Sequence, residues 1–226
     1  MTTLTEAALA RNEAWLRDFV EALGMCPYAR PCRAAGKLHR RVLLDRGGPR
    51  GSAAFAQAAQ AAARAVLEIE ALPADSVEVA LLIFPNLDPA LADGAEGADA
   101  FAQLCSTLRD ELARPRAGAP GGAAAFYCVA FHPGLPQDLA DAHRAVSFIR
   151  RSPDPTLQLV RATVLEAVRG DQGSVFVDPA SLRPEVLLAA APPASVSERI
   201  ARANLETLRR EGAERIAALL ASFRKP

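Results

Sequence analysis

Residues 77–84 constrain the fold most, because this segment is almost continuously apolar. A strand that is apolar at nearly every position is covered on both faces, so other elements must pack above and below it. Apolar residues at helical spacing occur on either side of the segment: Phe55, Ala59, Ala62, Val66 and Ile69 before it, and Phe101, Leu104, Cys105, Leu108 and Leu112 after it. Strands that alternate with helices predict a layered α/β fold.

The remaining patterns predict a small, mostly central sheet flanked by helices. Further strands are predicted at residues 38–44, 124–131 and 174–177, and the Pro- and Gly-rich residues 114–122 are predicted to form a loop. Helices are predicted to begin at Thr3-x-x-Glu6, at Asp154-Pro155 and at Ser195-x-x-Glu198. The helix after Asp154-Pro155 would bury Leu157, Val160, Val164 and Val168. We predict one domain over residues 1–226, in which residues 179–226 form an irregular segment and a long C-terminal helix.

The composition limits the classes of partner that the protein is expected to bind and the compartment in which it is expected. The 26 basic and 26 acidic side chains cancel, which argues against bulk binding to nucleic acid or to an anionic membrane. No apolar run approaches the roughly 20 residues of a membrane span, and the N-terminus lacks the apolar core of a signal peptide. We therefore expect a cytoplasmic protein with reduced cysteines. The four cysteines form no C-x-x-C pair, so structural zinc is not predicted. The oligomeric state is not predicted.

Cys26 is the first candidate for chemistry. Residues 23–44 contain five basic side chains and no acidic one. Positive charges near a thiol favour the thiolate, which is the form that attacks electrophiles and binds metals. We therefore assign Cys26 as nucleophile or axial metal ligand and Arg30 as a substrate-binding cation. The alternative interpretation is a half-buried cysteine that packs under the first helix.

His132 is the second candidate, because it follows a predicted strand at the place where α/β folds commonly bind ligands. Its imidazole could act as a general base, as a metal ligand or as a donor to a bound carboxylate. The alternative is a histidine that anchors the following turn. Cys105 lies on the buried side of a predicted helix and Cys128 points inward from a strand, so both are predicted to be core residues.

An anion site is predicted after residue 150. Arg151 and Ser152 precede the predicted helix N-terminus, where free N–H groups favour anions. Gln158 and Arg161 would share one face of that helix, and Arg161 could bind a carboxylate or phosphate in bidentate fashion. Ordinary surface ion pairing of the arginines is the alternative.

Three functions are compatible with these residues. The chain has no P-loop, no G-x-G-x-x-G, no G-x-S-x-G and no H-E-x-x-H. The first hypothesis is a small-molecule enzyme with a Cys26/His132/Arg pocket for a small anionic ligand, either a carboxylate or a phosphate. The second is a haem- or transition-metal-binding protein or oxidoreductase with Cys26 or His132 as ligand. The third is a non-catalytic interaction module. The cofactor is not determined by the sequence.

Three segments in order resemble the uncharacterised bacterial domain-of-unknown-function family 1415. They are Met25-Cys26-Pro27-Tyr28-Ala29, Phe131-His132-Pro133, and Arg151-Ser152-Pro153-Asp154-Pro155 with Leu159 and Arg161. The chain departs from the family pattern at Gly134, where Asp is usual, and at Gln158, where His is usual. If the family's Cys and two His bind a metal or haem, the resemblance implies that this divergent member lacks one ligand. The resemblance brings no established activity.

Overall fold

A sheet of four strands lies at the centre of the residues that the computed structural model describes, 2–113, 125–170 and 196–224. The strands are β1 (Leu38–Val42), β2 (Val79–Ile83), β3 (Phe126–Phe131) and β4 (Thr156–Arg161), in the spatial order β1-β2-β4-β3. β1 and β2 are parallel, whereas β4 runs antiparallel to both of its neighbours. The strand β3 therefore forms an outer edge of the described sheet.

Helices cover both faces of this sheet, so the predicted mixed α/β class is confirmed. The predicted capping box is also confirmed, because Thr3 and Glu6 exchange both hydrogen bonds at the start of the first helix. None of the helices in the described ranges has the length and apolarity to cross a bilayer. The helices are α1 (Leu4–Trp15, continued by a π-helical segment Leu16–Glu21), α2 (Ala29–Ala34), α3 (Ala53–Glu70), α4 (Pro89–Ala92), α5 (Gly94–Ala113), α6 (Ala142–Ile149), α7 (Ala162–Gly170), α8 (Val196–Glu211) and α9 (Ala213–Ser222).

Alternate residues of β2 enter two different hydrophobic cores. Ala80 and Leu82 pack with α3 and α5, whereas Leu81 and Ile83 pack with α1, α6, α8 and α9. The side-chain period of a strand is two, so a strand between two helical layers must be apolar at successive positions. This arrangement confirms the interpretation of residues 77–84 as a strand covered on both faces.

The predicted helix after Asp154-Pro155 is wrong for its first part, because residues 156–161 form the strand β4. Leu157 pairs with Leu82 of β2 on one side and with Ala130 of β3 on the other. Asp154 does not act as a helix cap, since its carboxylate accepts two hydrogen bonds from the Arg11 guanidinium at 3.1 and 2.9 Å. Cross-strand pairing and this ion pair replace the helical hydrogen bonds, and the helix α7 begins only at Ala162.

The long C-terminal helix is divided in two at Gly212. This glycine has φ +87, a left-handed conformation that favours glycine, and it separates α8 from α9. Both helices still contribute to the core shared with α1, through residues such as Leu208 and Ile216. The loop predicted at residues 114–122, the strand at 174–177, the irregular segment 179–193 and the Ser195 cap lie outside the described residues.

Candidate functional site

The basic residues that follow Cys26 are paired with carboxylates from other parts of the chain. The Glu21 carboxylate lies 2.7 Å from the Arg33 guanidinium and 3.8 Å from that of Arg30. Hydrogen bonding to Arg33 lowers the pKa of Glu21. Residues 23–44 contain no acidic side chain, but carboxylates from other parts of the chain pair with their basic side chains. The unpaired positive charge predicted beside Cys26 is therefore not found among the described residues. The other pairs are Lys37–Glu78, Arg40–Glu13 and Arg41–Glu68.

Cys26 itself is half-buried beside the core formed by α1, α8 and α9. Its carbonyl accepts a hydrogen bond from the Ala29 N–H at 3.3 Å. The buried Asn204 amide of α8 donates to the neighbouring Met25 carbonyl at 3.0 Å, which fastens the Cys26 loop to α8. These contacts hold the Cys26 backbone in place beside α8.

His132 is buried, and both of its ring nitrogens are hydrogen-bonded. Nε2 lies 2.9 Å from the Leu91 carbonyl, and Nδ1 accepts a bond from the Gly134 N–H at 3.0 Å. The ring is therefore neutral and protonated on Nε2, and burial lowers its pKa. The peptide N–H of His132 also donates to the Arg150 carbonyl at 3.0 Å. The imidazole thus ties α4 to the turn after β3, and it can accept a proton or a metal only by losing one of these bonds.

We expect His132 to make folding stability depend on pH in acid. Its folded pKa is lowered from the ordinary value of 6.5, so the unfolded chain takes up the proton first as the pH falls. The contribution is complete above about pH 6.5 and is lost progressively below it, at up to about 1.4 kcal/mol per pH unit. The free energy of unfolding, measured with urea between about pH 7 and pH 5, should depend less steeply on pH for His132→Gln than for the native chain.

His143→Gln is the matched control for this measurement, because His143 lies exposed on α6. Its free energy of unfolding should depend on pH as steeply as that of the native chain. If the free energy of unfolding of His132→Gln depended on pH as steeply as that of the native chain, the assignment of a neutral buried ring would be contradicted.

The predicted anion ligands Arg151 and Ser152 make internal contacts. The Arg151 carbonyl accepts the Trp15 indole N–H at 3.0 Å, and its guanidinium Nη1 donates to the Leu135 carbonyl. Burial lowers the pKa of Arg151. The Ser152 hydroxyl donates to the Asp154 carbonyl at 2.6 Å. These bonds fasten the segment between α6 and β4 to α1 and to the turn after His132.

Gln158 and Arg161 do not share a face, because both lie on β4 rather than on a helix. Gln158 is in register with Leu81 and faces the α1 side, whereas Arg161 is in register with Phe126 and faces the α5 side. The Arg161 Nε donates to the Val77 carbonyl at 2.7 Å, and its guanidinium carbon lies 4.7 Å from the centroid of the Phe126 ring. Arg161 is buried in these contacts and links the segment before β2 to β3.

A cavity of about 290 Å³ opens beside the outer edge of β3, between α5 and α6. It brings His132 together with two cysteines that the sequence analysis assigned to the core, Cys105 and Cys128. Its polar wall also holds two arginines and a serine that the sequence analysis did not select. The lining residues are Ala98, Ala102, Cys105, Arg109, Cys128, Val129, Ala130, His132, Leu135, Ser147 and Arg150.

The two thiols in this cavity are in direct contact, with their Sγ atoms 3.2 Å apart. A hydrogen bond from the Cys128 thiol, together with the positive charges of Arg109 and Arg150, lowers the pKa of Cys105 against the opposing effect of burial. The same hydrogen bond, burial and the charge on Cys105 raise the pKa of Cys128. Of the two thiols, Cys105 is therefore the one that ionises more readily.

The two arginines of the cavity supply positive charge that no described carboxylate neutralises. Arg109 is exposed on α5, and Arg150 is half-buried at the end of α6. Neither forms a salt bridge with any residue of the described ranges. Burial lowers the pKa of Arg150, and the nearby Cys105 opposes this effect. The cavity thus combines two contacting thiols with guanidinium groups that no described carboxylate pairs, which suits an anionic ligand.

A second cavity, of about 220 Å³, lies near the end of β2. Its charges are already paired, because Arg11 binds Asp154 and Arg224 lies 3.2 Å from Asp93. Among the described residues, neither Cys26 nor Arg151 lines either cavity. The lining residues are Arg11, Phe84, Pro85, Ala92, Pro153, Asp154, Pro155 and Arg224. The described part of the chain contains no group of three or more His, Cys, Asp or Glu placed to hold a metal ion.

Comparison with known proteins identifies a family whose function is unknown. Residues 7–174 match the family described as "Protein of unknown function (DUF1415)". No curated protein and no solved structure matches the chain.

Proposed function

We propose that this chain, which belongs to the DUF1415 family of proteins of unknown function, is a small-molecule enzyme that acts on an anionic substrate in the cavity beside β3. The proposal rests on the cavity itself, where the contacting thiols of Cys105 and Cys128 lie with two guanidinium groups that have no described carboxylate partner. A small-molecule enzyme with an anionic substrate is also the first hypothesis from the sequence. The proposal replaces Cys26 by Cys105 as the nucleophile.

The cavity residues have separate roles in this proposal. Cys105 attacks the substrate as thiolate, and the hydrogen bond from Cys128 stabilises that form. Arg109 and Arg150 bind a carboxylate or phosphate group of the substrate. His132 closes the inner wall and stays neutral through its bonds to Leu91 and Gly134. Such a thiolate functions in a reducing compartment, and we propose the bacterial cytoplasm as its location.

Alkylation rates test the proposal directly. Near neutral pH, Cys105 should react faster than Cys26, Cys32 or Cys128, and it should prefer anionic iodoacetate over neutral iodoacetamide relative to free cysteine. Arg150→Gln should slow the iodoacetate reaction about tenfold, because a charge-assisted contact is worth about 1.5 kcal/mol or more. Peptide mass spectrometry of the alkylated chain identifies the modified cysteine at each time point.

Arg64→Gln is the control, because Arg64 is an exposed arginine of α3 outside the cavity lining. It should leave both rates unchanged. Preferential labelling of Cys26, or equal reaction of Cys105 with the two reagents after correction for their intrinsic reactivity, would contradict the proposed site.

A further inference from the structure

We infer that Cys105 and Cys128 form a reversible dithiol–disulfide couple whose substrate is an anionic low-molecular-weight disulfide. The inference rests on the proposed function in one respect, since it takes Cys105 as the nucleophile. It adds the second thiol as a reactant and names the class of the substrate.

The geometry of the pair supports bond formation. The sulfurs are 3.2 Å apart, and a disulfide bond of 2.03–2.05 Å requires them to approach by about 1.2 Å. Cys105 lies on α5 and Cys128 on β3, and both enter the same core. Both thiols also border the cavity, so a small reagent can contact them although each side chain is largely buried.

The reaction proceeds by two thiol–disulfide exchanges. The Cys105 thiolate attacks one sulfur of the substrate RSSR, so a Cys105–SR bond forms, the RS–SR bond breaks and one RS⁻ leaves. Cys128 then attacks the Cys105 sulfur, the Cys105–Cys128 bond forms, and the second RS⁻ leaves with the Cys128 proton. The first RS⁻ takes the proton that Cys105 released. Two thiols are thereby oxidised to one disulfide, and RSSR is reduced to two RSH.

The cavity charges favour an anionic disulfide and raise the reduction potential of the couple. Arg109 and Arg150 attract an anionic disulfide and repel a cationic one. They also stabilise the Cys105 thiolate, which exists only in the reduced form. Stabilising the reduced form raises the reduction potential of a dithiol couple. We therefore expect a reversible couple, which RSSR closes where it is in excess over RSH and which thiols reopen more readily than they open an ordinary structural disulfide.

The test uses oxidised glutathione as the anionic disulfide and cystamine as the cationic one. The full chain is incubated with each reagent, free thiols are trapped with N-ethylmaleimide, and cross-linked or mixed-disulfide peptides are identified by mass spectrometry. We expect oxidised glutathione to yield a Cys105–Cys128 disulfide. We expect cystamine to react at least about tenfold more slowly at Cys105, after correction for its rate with free cysteine.

Three variants separate the two exchange steps from the effects of the cavity charges. In Cys128→Ser the first exchange should stop at a persistent glutathione adduct on Cys105. In Arg109→Gln, whose exposed side chain is not needed for packing, the preference for oxidised glutathione over cystamine should fall severalfold. Arg150→Gln should raise the equilibrium constant for disulfide formation in a glutathione buffer about tenfold, equivalent to a potential about 30 mV lower.

Failure of the couple and failure of the proposed site give different results. A persistent glutathione adduct on Cys105 of the native chain, without closure onto Cys128, would overturn the couple and leave Cys105 as the nucleophile. Absence of any reaction at Cys105 with either glutathione or iodoacetate would overturn both. Closure with equal rates for oxidised glutathione and cystamine would overturn the anionic substrate class.

Discussion

Gly134→Ala is expected to lower the free energy of unfolding by about 3 kcal/mol, which is large for the addition of one methyl group. A Cβ atom at position 134 would lie 2.0 Å from the carbonyl oxygen of Gly94 and 2.6 Å from its carbonyl carbon. Both are backbone atoms at the start of α5, so the collision cannot be relieved by a side-chain rotation. Equilibrium denaturation in urea measures the loss.

Gly97→Ala is the matched control, three residues into the same helix. Its Cβ would make ordinary contacts of 3.4 to 3.6 Å with the backbone of Leu91 and Ala92. Since alanine is a better helix residue than glycine by about 0.5–1 kcal/mol, this variant should be as stable as the native chain or more stable. Equal stabilities for the two variants would show that the backbone at Gly94 moves easily and that the close approach does not exclude a Cβ atom at position 134.

The same contact accounts for one departure from the family pattern. The resemblance places Asp at position 134 in typical members, and any side chain there would meet the Gly94 carbonyl in this chain. The close approach brings the turn after β3 against the start of α5, and the Gly134 N–H is then free to donate to the His132 Nδ1. Gly134 is therefore a packing requirement of the wall that carries His132.

Arg161→Ala is expected to lower the free energy of unfolding by about 2–4 kcal/mol and to leave the chemistry of Cys105 unchanged. The substitution removes the hydrogen bond to the buried Val77 carbonyl and the guanidinium packed on Phe126. The carbonyl would be left without that donor in a closed environment, which is the costly part of the change. Urea denaturation and the Cys105 alkylation rate by iodoacetate, measured in native buffer, give the two readouts.

Arg64→Ala serves as the control for this substitution, because a surface arginine contributes less than about 1 kcal/mol to folding. If Arg161→Ala slowed the reaction of Cys105 with iodoacetate and left the free energy of unfolding unchanged, Arg161 would be an anion ligand, as predicted from the sequence. The structure instead gives it two internal partners and no place in either cavity lining.

Prediction from the sequence succeeded where a local pattern of residues is compatible with only one local structure. The apolar run of β2 and the Thr3–Glu6 capping box are examples, because each depends on neighbours within a few residues. It failed at residues 156–161, where the Asp154-Pro155 pair suggested a helix start. Leu157 and Leu159 also alternate with Gln158 and Val160, and this period of two is typical of a strand. The contacts of β4 with β2 and β3, together with the Asp154–Arg11 ion pair, decided between the two patterns.

The sequence by itself determined the α/β class, the strand covered on both faces and the burial of Cys105 and Cys128, because these follow from periodicity along a single element. The tertiary structure alone decided which charges are free. It pairs Arg30 and Arg33 with Glu21, and it leaves Arg109 and Arg150 without a described carboxylate beside the two thiols. Electrostatic effects depend on distance in space, and the residues that neutralise or expose a charge come from different elements of the chain.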